Sequence, residues 1–364
     1  MKIFINGIGV TGGFGSGVDE LLASLRRRCS APAPSVEDDG PEILYPAYIA
    51  DTSYLEGRIS KRALRRIDHF SQLALTGSYL AVNDAGIDHL DSTKTGLVLC
   101  SGYGSARTTF SFLDSFIEDG DSCASPTLFS NSVHNAAAGH ISIFMGLEGP
   151  SLTVSQFEMS VPSALLSAAQ WLREGKAEQV LFGAVDEYCD VLGYCYRRFF
   201  GKRDDRRIAP LSPGLQSAVP GEGAVFLLLS NEKPLNRNYG CISSVKISDI
   251  YDQRPFPGGD CFHILNADGH SDCDKHYGDV IPDQSQVACY TPLYGSLPAG
   301  SAFDMAIAAL SISEGTLFSS PESVFHLDNK KLLKENRPNN ENNISCVKIG
   351  REGKLSIITL SKNG

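Results

Sequence analysis

The sequence predicts an α/β fold, because buried strands and amphipathic helices alternate along the chain. The clearest unit runs from 149 to 187, where a Gly-Pro turn leads into an apolar strand at 152–155. A helix is predicted over 160–175, with a serine able to cap its start, a proline in its first turn and a glycine at its end. The apolar run at 180–184 is typical of the next buried strand. Together they predict one strand–turn–helix–strand unit.

Further elements precede this unit. A strand is predicted at 2–6, and an amphipathic helix from 65 onward is closed by Gly86. The apolar run at 96–100 predicts a strand that turns into a helix, and small residues dominate the segment 135–142. A second series of elements begins at Cys241. It comprises strands at 242–247, 262–266 and 287–290, a helix over 302–310, and strands at 345–349 and 355–360.

The amino-acid composition and net charge argue against some classes of function. The chain has 364 residues, a formal net charge of -10 and 42% hydrophobic residues, which is typical of a globular protein and argues against nucleic-acid binding. No apolar run approaches membrane-spanning length, so no membrane insertion is expected. The ten cysteines form no Cys-x-x-Cys pair, and the chain begins directly with a strand. We therefore expect reduced thiols and a cytoplasmic protein.

Two motifs suggest a cofactor or a metal, and both are weak. Gly7 to Gly12 matches Gly-x-Gly-x-x-Gly, but a dinucleotide site needs a second strand and an acidic residue about 20 residues later. The loop at 26–34 provides neither. The segment 270–276 gathers histidine, cysteine and aspartate, but its spacing fits no zinc pattern. The sequence therefore predicts neither a cofactor nor a metal.

The central unit has the form of a catalytic elbow. A strand that turns sharply into a helix exposes a side chain at the turn, and the helix N-terminus stabilises negative charge there. This turn and the Val-Asp-Glu after the second strand resemble the β-ketoacyl synthases of the thiolase superfamily, whose pattern at the turn is Thr-Ala-Cys-Ser-Ser. In that match the nucleophilic cysteine falls on Glu158. A carboxylate cannot perform the acyl transfer of a thiolate.

The resemblance extends beyond the elbow. Segments similar to the family's lie at 65–86, at 135–142 and at the Gly-Glu-Gly-Ala of 221–224. It implies a thiolase-like fold, with two related halves in a layered αβαβα arrangement and an abbreviated C-terminal half. The expected division is a ketosynthase-like half at 1–235 and a shortened half at 240–364. No residue-level repeat is detectable between them.

The resemblance also locates the rest of the catalytic set. The family uses two histidines to assist malonyl decarboxylation and to stabilise the developing oxyanion. The first falls on Asp268 and the second on Gly295, and the Gly-rich loop near the C-terminus is altered at 348–353. The match therefore implies that all three catalytic groups are missing, with Glu158, Asp268 and Gly295 as vestigial positions.

A synthase-like chain without catalytic residues resembles the chain length factor subunit of type II polyketide and aryl polyene ketosynthase pairs. This implies a heterodimer with an active ketosynthase, which receives substrates from an acyl carrier protein. The helix after 105 then contributes Thr109, Phe112 and Phe116 to the wall of the acyl tunnel, although their spacing equally suits a core stripe. The expected interface residues are Asn135, Leu152, Thr153 and Val154.

Some alternatives remain open. The basic residues Arg197, Arg198, Lys202 and Arg203 form either a solvated or interface loop, which is the simpler interpretation, or a docking patch for the acidic carrier protein. Glu158 either acts as a substitute residue in a malonyl decarboxylase or is a buried carboxylate satisfied by its neighbours. A third possibility is a homodimeric acyl-binding protein without chemistry.

Overall fold

The computed structural model describes residues 2–29, 45–120, 124–201, 207–234, 237–252 and 261–362. Within these ranges twelve strands form one sheet and two form a small separate one. The strands are β1 (Ile3–Gly12), β2 (Gly15–Ser16), β3 (Thr95–Ser101), β4 (Ser151–Ser155), β5 (Gln179–Asp186), β6 (Gly223–Ser230), β7 (Cys241–Asp249), β8 (Phe262–Leu265), β9 (Gln286–Ala288), β10 (Thr316–Leu317), β11 (Lys331–Leu332), β12 (Arg337–Pro338), β13 (Asn343–Ile349) and β14 (Lys354–Ser361).

The helices are α1 (Val18–Arg27), α2 (Lys61–Leu64), α3 (His69–Asp84), α4 (Ala106–Asp119), α5 (Pro126–Asn131), α6 (Ala136–Met145), α7 (Ser160–Glu174), α8 (Asp190–Phe200), α9 (Ser271–Asp274), α10 (Tyr277–Val280) and α11 (Ser301–Ser313). The predicted central unit is confirmed as β4, α7 and β5. The predicted helix of the second half is confirmed as α11.

The large sheet contains the same strand order twice. In the first half the order is β1-β6-β5-β3-β4, and in the second it is β7-β14-β13-β8-β9. In each half the first two junctions are antiparallel and the last two are parallel. The halves join through a short antiparallel contact between β1 and β7. Two related halves are thus visible in the topology, while the exact division at 235–240 stays a prediction.

Helices and the two half-sheets form layers. One core cluster joins Leu165 of α7 and Ala306 of α11 to Val98 in the first half-sheet and to Ile264 and Ile358 in the second. A second cluster covers the opposite face of the first half-sheet with α3 and α6. The outer face of the second half-sheet packs mainly on short elements such as α10. This is the expected αβαβα arrangement with an abbreviated C-terminal half.

The Gly-x-Gly-x-x-Gly segment lies inside strand β1 and forms no phosphate-binding turn. A Cβ atom at Gly9 would lie 2.0 Å from the carbonyl oxygen of Gly77, and one at Gly7 would lie 2.4 Å from that of Ala81. The two glycines therefore allow β1 to pack directly against the backbone of α3. Their role is close strand–helix packing.

Candidate functional site

The elbow between β4 and α7 is a tight turn. Phe157–Met159 forms a single 3₁₀ turn, and Phe157 has a φ of 44°, a left-handed conformation that is unfavourable for a bulky residue. The Ser160 hydroxyl accepts the Gln156 N–H at 2.7 Å and donates to the carbonyl oxygen of Ser101 at 2.8 Å. The prediction that Ser160 caps α7 is wrong, because it is the first helical residue and ties the elbow to the end of β3.

Glu158 stands at the elbow and faces the turn between β13 and β14. Its side chain is 23% exposed, and its Oε1 lies 3.9 Å from Nε of Arg351. A Cβ atom at Gly350 would lie 3.4 Å from that of Glu158, so the two turns are in contact. A cleft of about 610 Å³ opens beside them, and its lining includes Tyr103, Phe157, Ile247, Asp249 and Lys354.

Asp268 forms a buried ion pair that the sequence did not reveal. Its Oδ2 lies 2.9 Å from Nζ of Lys348, whose side chain is 2% exposed, and its Oδ1 lies 2.9 Å from Nδ1 of His270. Burial alone would raise the pKa of Asp268, but the charge of Lys348 and the hydrogen bonds from His270 and Lys348 outweigh it and hold that pKa well below its usual range. The position matched to a catalytic histidine therefore carries a paired carboxylate.

His270 connects this ion pair to the elbow. Its Nε2 lies 3.0 Å from a guanidinium nitrogen of Arg351 and 3.3 Å from the hydroxyl of Tyr196. Because a guanidinium can only donate, Nε2 accepts and Nδ1 carries the hydrogen that is donated to Asp268. Both imidazole nitrogens are thus engaged. We call Asp268, Lys348, His270 and Arg351 the Asp268 cluster.

Gly295 has no room for a side chain. Its φ is 97°, and a Cβ atom there would lie 2.7 Å from Cα of Gly221. The next residue, Ser296, donates its hydroxyl to the carbonyl oxygen of Asp268 at 2.7 Å. The structure therefore brings the three predicted positions around one site. A histidine at 295 would require the segment to move away from Gly221.

Two further buried carboxyl groups, those of Asp274 and Asp304, lie near the Asp268 cluster. Burial raises the pKa of Asp274 and of Asp304 to about 7 in each case. Asp304 accepts hydrogen bonds from the Tyr294 hydroxyl at 2.7 Å and from Nδ2 of Asn266 at 2.7 Å. Neither these groups nor the role of Lys348 is evident from the sequence patterns. A lysine between Val347 and Ile349 near the end of β13 was the available signal.

The proposed tunnel residues lie on α4, away from the cleft beside Glu158. The ring centroids of Phe112 and of Phe129 on α5 are 5.5 Å apart. Thr109 donates its hydroxyl to the Ser105 carbonyl at 2.9 Å, and Phe116 is 47% exposed. Thr109, Phe112 and Phe116 neither line this cleft nor belong to the buried core of the described residues. Their role in a tunnel stays a prediction.

The predicted interface residues lie at one edge of the large sheet. In the part of the chain that the structure describes, β4 pairs with β3 alone, and Leu152 to Val154 are half-buried. Asn135 is exposed immediately before α6. On α4 to α7 and the described turns between them, nine large apolar side chains are at least 38% exposed, and we call them the apolar patch: Phe110, Leu113, Phe116, Ile117, Phe129, Val133, Ile143, Phe157 and Leu166.

The remaining predicted sites are less informative. Arg197 and Arg198 lie in the last turn of α8, whereas Lys202 and Arg203 lie outside the described residues. Among the residues described, no group of three or more metal-binding side chains could hold an ion, and His270 in the suspected metal segment is bonded within the Asp268 cluster. No described helix has both the length and the apolar character needed to cross a membrane.

The sequence matches the family model of the β-ketoacyl synthase N-terminal domain over residues 2–234. It is 28% identical over 187 residues to nodulation protein E of Rhizobium leguminosarum bv. trifolii, which covers 51% of the chain and 47% of that protein. It is 26% identical over 184 residues to 3-oxoacyl-[acyl-carrier-protein] synthase 2 of Staphylococcus aureus strain N315, and this match covers 49% of the chain and 44% of that protein. The matched region thus spans about half the length of these relatives.

Solved structures with the same fold match over the whole chain. The ishigamide ketosynthase/chain length factor superposes with a TM-score of 0.82 at 19% identity, covering 100% of this chain and 99% of that one. A β-ketoacyl synthase from Burkholderia phymatum STM815 gives 0.81 at 16% identity, with 99% of each chain covered. AntDE:AntF, a type II PKS acyl-carrier protein in complex with its ketosynthase, gives 0.79 at 14% identity over 99% of each chain. These likenesses establish the thiolase-like fold.

Proposed function

Because the chain belongs to the β-ketoacyl synthase family, we propose that it is a non-catalytic subunit of the chain-length-factor type. It pairs with an active β-ketoacyl-[acyl carrier protein] synthase and shapes the acyl tunnel during polyketide or aryl polyene biosynthesis. The acyl carrier protein reaches the complex through the synthase, with Arg197, Arg198, Lys202 and Arg203 as weaker docking candidates. The cytoplasm stays the expected compartment, on the basis of the scattered cysteines.

The residues at the three positions that match the family's catalytic groups are the main support for this proposal. Condensation needs a thiolate and imidazoles free to exchange protons or stabilise an oxyanion. The elbow instead holds Glu158, the first histidine position holds the carboxylate of a buried ion pair, and the second has no space beyond a glycine. The nearby imidazole of His270 has both nitrogens engaged. Each replacement removes one step of the family's chemistry.

The edge strand and the apolar patch support a subunit role. An unpaired edge strand exposes backbone N–H and C=O groups, and a strand from another chain can satisfy them. Large contiguous apolar surfaces on a folded chain mark interaction sites. Here α4 contacts α5, α5 contacts α6 and α6 contacts β4, so the helices that carry most of the apolar patch adjoin the sheet edge. A partner that adds a strand at β4 would also cover the patch.

A condensation assay tests the absence of catalysis. In a complex with the active synthase, Glu158→Ala is expected to leave the rate of condensation of malonyl-acyl carrier protein within about three-fold of the unmodified rate, because the partner supplies the reacting groups. Replacement of the partner's nucleophilic cysteine is the control and should abolish the reaction. The isolated chain should release no carbon dioxide from malonyl substrates. Decarboxylation that disappears in Glu158→Ala would contradict the proposal and support a decarboxylase.

Phe112→Ala tests the tunnel assignment. Removing a ring that packs 5.5 Å from Phe129 opens space along α4, so the complex should release longer products or a broader distribution of lengths. Mass spectrometry of the products measures this. Phe199→Ala is the control, because Phe199 is 77% exposed on α8 and should leave product lengths unchanged. Unchanged products from a folded Phe112→Ala complex would remove Phe112 from the tunnel wall.

A further inference from the structure

We propose that helix α4 completes its folding only when the active synthase subunit covers it. The helix carries the candidate tunnel residues Thr109, Phe112 and Phe116, so this part of the tunnel wall would form during assembly of the pair. The inference rests on the proposed function, because the chain that covers α4 is the synthase partner.

Helix α4 has little tertiary support from the residues that the structure describes. Of its side chains that the structure describes, Thr108 is the one that is buried. By comparison, ten residues of α3 and twelve of α11 are buried. A helix of 14 residues with so few buried side chains is marginal in water, since tertiary packing supplies most helical stability in proteins.

The sequence of α4 does not compensate for this lack of packing. Phenylalanine, threonine and serine make up half of its 14 residues, and all three types form helices less readily than alanine. Ser105 makes no side-chain capping bond to the first turn. The last turn has no basic residue and includes Glu118, whose negative charge is unfavourable at the C-terminal end of the helix dipole. The isolated helix therefore has weak intrinsic stability.

The exposed face of α4 indicates what covers it. Phe110, Leu113, Phe116 and Ile117 are 38%, 42%, 47% and 75% exposed, and they belong to the apolar patch, whose helices α5 and α6 link α4 to the edge strand β4. A chain that pairs with β4 is therefore adjacent to α4. The exposed acidic residues Asp114 and Glu118 border this face. We assign the face to the synthase subunit, with an apolar surface and basic side chains opposite these two acids.

Hydrogen exchange measures this coupling directly on the whole chain. In the free chain, the amides of 106–119 should be protected less than about ten-fold, whereas those of α3 should exchange through global unfolding. Addition of the synthase should raise the protection of α4 at least about 100-fold. Protection of α4 in the free chain equal to that of α3 would overturn the inference. Protection that rises with the concentration of this chain alone would overturn the choice of occupant, since a second copy would then cover α4.

A pair of substitutions separates folding from contact. Ser111 is exposed on α4, and Ser111→Ala and Ser111→Gly differ mainly in helix propensity. If α4 folds on binding, the alanine variant should bind the synthase about five-fold more tightly than the glycine variant. Arg173→Ala and Arg173→Gly on α7, which has eight buried residues, are the control and should bind equally.

The outcomes distinguish the inference from the proposed function. A complex in which both Ser111 variants bind equally would overturn coupled folding and leave the subunit role intact. An unmodified chain that binds no active synthase would overturn the subunit role and the inference with it.

Discussion

Ile143→Arg is expected to abolish the complex with the synthase while leaving the free chain folded. Ile143 is 75% exposed on α6, which contacts both α5 and the edge strand β4. The free chain can keep an arginine there in water. Covered by a partner, the charge would be buried without a counter-ion, which typically weakens binding by at least about 100-fold.

Tyr251→Arg is the matched control for this change. Tyr251 is also 75% exposed, but it lies just after β7 in the second half, outside the apolar patch. The dissociation constant of the complex between the Tyr251→Arg variant and the synthase should stay within about three-fold of the unmodified value, as expected for a surface substitution. Titration by surface plasmon resonance, with circular dichroism of each free chain, provides the measurement. Equal binding by both variants would place the interface elsewhere.

Asp268→Ala is expected to lower the free energy of unfolding by about 3–5 kcal/mol, because it leaves a buried charge without its partner. Lys348 lies 2.9 Å from Asp268 and is almost fully buried, and His270 would lose the acceptor of its Nδ1–H. Equilibrium unfolding in urea measures the loss, through the midpoint and the slope of the transition.

The double variant Asp268→Asn with Lys348→Met shows whether charge pairing is the cause. An asparagine can still accept from His270, and methionine fills much of the volume of lysine without a charge. Replacing a buried ion pair by neutral groups is often close to neutral for stability, so most of the loss should be recovered. If Asp268→Ala were as stable as the unmodified chain, the ion pair between Asp268 and Lys348 would not be needed to hold the site together.

Local patterns and order along the chain predict the fold well. The strand–turn–helix–strand unit at 149–187 and the second series after Cys241 follow from apolar periodicity and turn residues. Both appear in the structure as β4-α7-β5 and as a repeated strand order. The prediction that Ser160 caps α7 was wrong because of a tertiary contact. Its hydroxyl is used by the carbonyl of Ser101, which lies 59 positions earlier in the chain.

The site is harder to predict, because its contacts join distant parts of the chain. The resemblance placed Glu158, Asp268 and Gly295 around one site, and the structure shows their surroundings converge. The partner of Asp268 lies 80 positions away in β13, and the limit on Gly295 comes from the backbone of Gly221. No periodicity or spacing contains this information. Loss of a catalytic residue is visible in a sequence, whereas the interaction that replaces it requires the packed structure.

Native mass spectrometry of this chain co-expressed with an active ketosynthase tests the central claim most directly. The account predicts a 1:1 complex, in which the synthase covers the sheet edge and the apolar patch. A stable homodimer that does not bind the synthase would contradict it.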